Sequence, residues 1–260
     1  MVQRVLSVVR HVLPHGLKQA LKGWVVLRLI DDLVWELPPP LSGLKMKGPG
    51  VFGTYVEKPY EPEACQILMS LICPGWKCVD VGAHLGYFTL LLAHLVGDTG
   101  HVFAFEALPE NARWLRENIA LNGFTLRVTV ENVAVSDGKQ PFVRLNAPLY
   151  YTSEWSIVRP SPIHRSIEAR AICLDAYFVQ GPGLDFIKID IEGAEFMALQ
   201  GSQTILLRDR PFLLIELHGD EGQRAAHFLL EMGYRIEDLK GQVFSGSPFP
   251  SHIFARPKEK

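Results

Sequence analysis

From about residue 74 onward, short apolar runs alternate with stretches of helical periodicity, and glycine or proline marks nearly every junction. No other feature limits the fold as much. "KCVDVG", "HVFAFE", "LRVTVENVAVSD", "DFIKID" and "PFLLIELHG" read as successive strands. "YFTLLLAHLVG" is a helix stopped by Gly97. "PENARWLRENIALNG" opens at Pro109, closes at Gly123 and repeats Ala112, Leu115 and Ile119 at helical spacing. "GAEFMALQGSQTILL" and "EGQRAAHFLLEMG" are the helices that follow the last two of these strands. The strands lack polar alternation, so both their faces must be covered, as in a parallel sheet between helical layers. "YRIEDL", a "KGQ" turn and "SHIFAR" predict a closing antiparallel hairpin. Residues 138–170, rich in Pro, Ser, Tyr and Trp, are expected to be irregular.

Residues 1–57 read as an N-terminal helical extension, and residues 58–260 as the main domain. "LKQALKGWVVLRLIDDLVWEL" suggests a helix that "PPPLSG" breaks. Its basic residues suit peripheral contact with an anionic membrane, while packing on the main domain is the plainer expectation. No run is apolar for long enough to span a bilayer, and Arg10, His11 and Pro14 interrupt the first apolar segment, so no signal peptide is expected. The four cysteines form no CxxC pair and keep no metal-ligand rhythm, which favours reduced thiols and a cytoplasmic location. A net charge of −2 gives no general attraction to nucleic acid, and none is expected as a partner. The oligomeric state is not legible.

Ligands of doubly wound sheets bind beyond the carboxyl ends of the strands, where the strand order switches. The first strand ends in "VDVGAHLGYF", where Gly82 and Gly86 allow a tight strand-to-helix turn. Glu106 ends the second strand, about 20 residues on, where nucleotide-binding folds keep a carboxylate for the ribose hydroxyls. Two features disfavour a dinucleotide. His84 stands where G-x-G-x-x-G needs its middle glycine, and the Asp80 carboxylate would repel a pyrophosphate. The same carboxylate suits the cationic amino-acid part of S-adenosylmethionine. No GK[ST] follows the turn, so a P-loop is excluded as well.

These residues, with "ENVAVSD", "ICLDAYF" and "DFIKIDIEGAEFMALQG", resemble the FkbM-type S-adenosylmethionine-dependent methyltransferases over residues 57–218. The resemblance implies a class I methyltransferase fold: a Rossmann-like, doubly wound α/β sheet of about seven strands with the last antiparallel. It implies S-adenosyl-L-methionine as cofactor and O-methylation of a hydroxyl on a small molecule or glycan. Carried over, Asp80, Gly82, Ala83, His84 and Gly86 would cradle the methionine part, Glu106 the ribose, and Ala134 and Val135 the adenine. Two departures stand out, since the family usually has Asn at His84 and Pro at Ala107.

Methyl transfer to a hydroxyl needs alignment and removal of the hydroxyl proton. Asp190 ends the fourth strand, Glu192 begins the turn after it, and Glu216 and His218 end the fifth as "IELHG". Asp190, Glu192, His218 and Lys188 are the catalytic candidates. Lys188, in an apolar strand and on the same face as Asp190, is expected to pair with a strand-end carboxylate. Glu195 is expected to serve the helix start or the turn. No metal is expected; were a divalent ion present, Asp190, Glu216 and His218 would hold it. Tyr151, Ser153 and Trp155, in "LNAPLYYTSEWSIVRPSP", are the substrate-contact candidates. A nucleic-acid methyltransferase and a non-catalytic cofactor-binding module are the alternatives. The first lacks its Asp/Asn-Pro-Pro-aromatic motif, since Asp-Ile-Glu-Gly stands there.

Overall fold

The structure, a computed structural model, describes residues 33–57, 59–148 and 164–258. The candidates Tyr151, Ser153 and Trp155 and most of the expected N-terminal helix lie outside them. The chain divides into two units, residues 1–60 and 61–260.

In the first unit, Trp35–Glu36 pairs antiparallel with Lys45–Met46, and a wide helical turn follows at Phe52–Val56. The expected helix therefore does not reach Trp35. Leu37 precedes Pro38, and the proline ring disfavours helical backbone at the residue before it.

The second unit opens with α1 (Pro62–Leu71), followed by β1 (Lys77–Val81), α2 (Tyr87–Leu95), β2 (His101–Phe105), α3 (Pro109–Leu121) and β3 (Val128–Glu131). After a side ribbon come β7 (Phe186–Ile189), the short helices α5 (Glu195–Gln200) and α6 (Gln203–Arg208), β8 (Phe212–Glu216), α7 (Gly219–Glu231), β9 (Tyr234–Glu237), β10 (Val243–Phe244) and β11 (His252–Pro257). The sheet order is β10-β9-β11-β8-β7-β1-β2-β3. Strands β3, β2, β1, β7 and β8 run parallel, and β11 runs antiparallel between β8 and β9. The order reverses between β1 and β7, which is the switch point.

The sheet is of the expected kind and has eight strands, the eighth a short edge strand. The "KGQ" turn leads into β10, which pairs back on the outer side of β9. "SHIFAR" reaches β9 from the other side, so the expected antiparallel pairing forms with a longer connection than the turn suggested.

The side ribbon corrects the reading of residues 138–170 as irregular. It comprises β4 (Ala134–Val135), β5 (Phe142–Pro148) and β6 (His164–Ile172), with α4 (Leu174–Tyr177) after it. Strands β5 and β6 pair antiparallel from Phe142↔Arg170 to Pro148↔His164. Alternation in "FVRLN" buries Leu145 beside Ala169 and Leu108, while Phe142 stays half exposed. The expected third strand splits here. β3 stays in the large sheet, and Ala134–Val135 leaves it to run parallel to β6.

The core follows the pleat. Val79, Val81, Ile187, Ile189, Leu213 and Ile215 point to one face and pack with Leu199, Leu206, Ala225 and Leu229 from the helices. Cys78, Asp80, Phe186 and Lys188 therefore point to the other face. A buried acid and a buried lysine share that side because β1 and β7 pair Asp80 with Lys188.

Candidate active site

The turn after β1 is built for close approach of chain to chain. Gly82 adopts φ +81°, and a Cβ there would stand 1.9 Å from the Asp190 carbonyl oxygen. Gly82 is therefore required by the packing of the β7 end against the turn. The Gly82 and Ala83 N–H groups both donate to the Phe105 carbonyl, at 2.9 and 3.0 Å. His84, at φ +50°, donates its N–H to Glu106 Oε2 at 2.8 Å. Its side chain is partly buried, and the loss of water around the ring lowers its pKa to about 4, so it is neutral at physiological pH. Gly86 lies against α3, where a Cβ would meet Leu115 Cδ1 at 2.6 Å.

Glu106 joins three segments. Besides the His84 N–H it accepts from the Leu108 N–H (2.9 Å) and from Asn111 Nδ2 (3.4 Å). Burial pushes its carboxyl up to about 7 against these bonds. Asn132 Nδ2 donates to the carbonyls of Glu106 (2.8 Å) and Ala107 (3.1 Å), tying the buried Ala134–Val135 segment to the same strand end. The residues read as methionine, ribose and adenine contacts thus adjoin one another at the ends of β1 and β2. The residue set suits S-adenosylmethionine: a carboxylate for hydroxyls, apolar Ala134 and Val135, and a turn whose one basic side chain, His84, is uncharged.

Asp80 is the penultimate residue of β1 and has no exposed surface. Thr89 Oγ1 donates to its Oδ2 at 2.6 Å, and Lys188 Nζ stands 3.8 Å from its Oδ1. Lys188 Nζ also lies 3.3 Å from Asp190 Oδ2 and 4.9 Å from the centre of the Phe88 ring. Burial alone would discharge this lysine, but Asp190, Asp80 and Glu61 outweigh it and hold the ammonium charged. The expected pairing of Lys188 with a strand-end carboxylate is thus present, with Asp80 as a second partner.

His218, just past β8, is held from three sides. Its Nδ1 lies 2.9 Å from Glu195 Oε1, and its Nε2 lies 3.4 Å from Glu216 Oε1 and 3.5 Å from Glu192 Oε2. The Glu195 and Glu216 carboxylates push its pKa up to about 10. Glu195 is fully buried; its Oε1 also accepts the Gly193 N–H at 2.8 Å, which fixes the turn after β7. Glu192 adopts φ +54° in that turn.

Asp190, Glu192 and His218 present ligand atoms all within 4.8 Å of one another. Glu216 belongs instead to a second trio with Glu61 and His252. The ion-binding set read from sequence, Asp190 with Glu216 and His218, is therefore not the one brought together. His252 and Glu61 were missed. His252 joins because β11 pairs antiparallel with β8, with Glu216 opposite His252, a register that only the assembled sheet defines. His252 Nε2 lies 3.5 Å from Glu216 Oε2 and 3.7 Å from Glu61 Oε2. The two imidazoles hold the Glu216 carboxyl well below its usual range.

The strand order with its inserted antiparallel strand, and the site at the switch point, define a class I methyltransferase domain of the S-adenosylmethionine-dependent type. A model of the methyltransferase FkbM domain matches residues 80–236, more than half of the chain, and the chain belongs to that family. Among curated proteins it is 35% identical over 137 residues to a protein-L-isoaspartate O-methyltransferase of Aeropyrum pernix, covering 52% of this chain and 46% of that protein. The chain thus spans about half the length of the first curated relative. A methyltransferase FkbM from Methylobacillus flagellatus is similar with a TM-score of 0.48 at 17% identity, over 74% of this chain and 50% of that one. An S-adenosylmethionine-dependent O-methyltransferase from Thermotoga maritima gives 0.47 at 16%, over 79% and 68%. Among the described residues no helix is long and apolar enough to cross a membrane.

Proposed function

We propose that the chain transfers the methyl group of S-adenosylmethionine to a hydroxyl of a small molecule or glycan. The gathering of Asp190, Glu192, Glu216 and His218 beside the cofactor turn supports this most directly. In the transfer, the acceptor oxygen forms a bond to the methyl carbon as the C–S bond breaks. The bonding pair goes to sulfur, and the hydroxyl proton goes to a carboxylate. A sugar or alcohol hydroxyl is a poor nucleophile, so a base at this point contributes about 10²–10⁴ in rate.

His218 is not that base at neutral pH, because its flanking carboxylates keep it protonated. Its role is to hold Glu192 and Glu216 in place. Asp190 and Glu192 are the candidates for accepting the proton, and Lys188 orients Asp190. The Gly82 turn lies against the Asp190 backbone, which favours Asp190 over Glu192. The concentration of carboxylates disfavours an acidic acceptor on charge. An isoaspartyl acceptor, which the curated relatives' name indicates for them, is therefore the less favoured reading here.

A labelled-methyl assay against neutral sugars, glycans and an isoaspartyl peptide tests the proposal. Asp190→Asn is expected to lower kcat by about 10²–10⁴ while cofactor affinity measured by calorimetry stays within a few-fold. Unchanged turnover removes Asp190 from the chemistry, and no methylation of any hydroxyl acceptor overturns the acceptor class.

A further inference from the structure

We infer that Asn132 is a positioning residue for the cofactor: its amide fixes the peptide that aims the Glu106 carboxylate at the ribose. The inference rests on Glu106 as the ribose contact and adds what holds that carboxylate in its working direction.

The bonding of the amide carries the inference. Asn132 Nδ2 donates to two successive carbonyls, that of Glu106 at 2.8 Å and that of Ala107 at 3.1 Å. A side-chain amide has two N–H groups on one nitrogen, so both are spent, one on each carbonyl. The two acceptors also settle which end of the amide faces them, since a flipped amide would oppose oxygen to oxygen. Peptide groups are planar, so holding these carbonyls fixes the planes on either side of Ala107. The Ala107 carbonyl and the Leu108 N–H belong to one such plane, and the N–H donates to Glu106 Oε1 at 2.9 Å. Asn132, the Ala107–Leu108 peptide and Glu106 therefore form one chain of hydrogen bonds, each polarising the next.

An asparagine that served only to form a turn would bond to its own neighbours in sequence. Both of these bonds instead reach another strand end, 26 and 25 residues away. The backbone that carries Asn132 is held on both sides. Glu131 ends β3, and its carbonyl accepts the Glu106 N–H at 3.0 Å. Ala134 begins β4 and pairs with Ala171 of β6. Only Asn132 and the buried Val133 lie between, so the amide is presented from a short, anchored span. It stands where the chain after β3 leaves the large sheet, and it bridges the two strand ends past the last ladder pair, Phe105 with Glu131. Aspartate there would turn oxygens toward the two carbonyls, and serine would offer a single donor. The pair of carbonyls thus specifies the side chain.

Calorimetry with S-adenosylmethionine and its demethylated product, S-adenosylhomocysteine, tests the role on the full chain. Asn132→Ala is expected to lower the affinity for both about three- to tenfold. In a Glu106→Ala background the same substitution should change affinity less than about twofold, because its effect passes through that carboxylate. A residue that merely stabilised the fold would weaken binding alike in both backgrounds. Circular dichroism and thermal melting check that each variant folds, and Asn132→Ser carries the test if Asn132→Ala does not fold. Unchanged affinity in Asn132→Ala, or an equal loss with and without the Glu106 carboxylate, overturns the inference. If Glu106→Ala alone leaves affinity unchanged, the ribose reading fails and the inference falls with it. A loss in Glu106→Ala without one in Asn132→Ala removes the positioning role and leaves the ribose reading standing.

Discussion

Glu106 carries two duties that ordinarily fall to separate residues. Its carboxylate receives backbone N–H groups from the turn after β1 and from the start of α3, yet burial raises its pKa to about 7. A raised carboxyl pKa means that the folded chain holds the proton more tightly than the unfolded chain does. The associated stability is complete below the ordinary glutamate range and is lost as pH rises through about 7. Hydroxyl donors favour the ionised form, so affinity for S-adenosylmethionine should rise between pH 6 and 8. Calorimetry across that range should show the rise in the wild type and a flat profile in Glu106→Gln. Glu106→Ala should weaken binding by roughly ten- to a hundredfold, the worth of about 1.5–3 kcal/mol for charge-assisted bonds. An unchanged affinity would place the ribose elsewhere.

At the scale of elements, strand ends and turns position everything chemical. Asp80 and Lys188 lie inside strands, where register and pleat bring them together on one face. The turn after β1 depends on a glycine with no room for a side chain. Gly82→Ala would drive a methyl into the Asp190 carbonyl and should cost several kcal/mol, read as a large fall in Tm or loss of soluble protein. Gly123→Ala is the control: its φ is +73° but nothing lies within 4 Å, so only the left-handed backbone cost of about 1–2 kcal/mol applies. Equal effects would show that conformation alone, and not contact with β7, explains Gly82. The helix after β7 behaves similarly. It was read as one segment and divides at Gly201, where a Cβ would lie 2.1 Å from the Ser136 carbonyl.

For the whole molecule, the last strand is internal to the sheet. β11 lies between β8 and β9, and its Ile253, Phe254 and Ala255 are buried. Removing residues 250–260 would leave β8 and β9 each unpaired on one side and expose that core, so the truncated chain should not give a cooperative thermal transition. Replacing Val243 and Phe244 in the edge strand β10 with serine should shift Tm by only a few degrees, since these side chains are exposed or half-buried. A truncated chain that melts cooperatively would contradict the sheet order. The sequence by itself determined the alternating α/β plan, the family, the glycine turn, the Glu106 carboxylate at the end of the second strand and the charged ends of the fourth and fifth strands. All of these follow from local periodicity, turn chemistry and motif spacing. The β5–β6 ribbon was hidden because its residue composition resembled a loop and its pairing is with a distant partner. Only the tertiary structure decided that Asp80 meets Lys188, that Glu195 turns back to hold His218, and that His252 and Glu61 join Glu216. These contacts depend on strand register and on helix ends meeting across the switch point, and register is a relation between segments that neither segment carries alone.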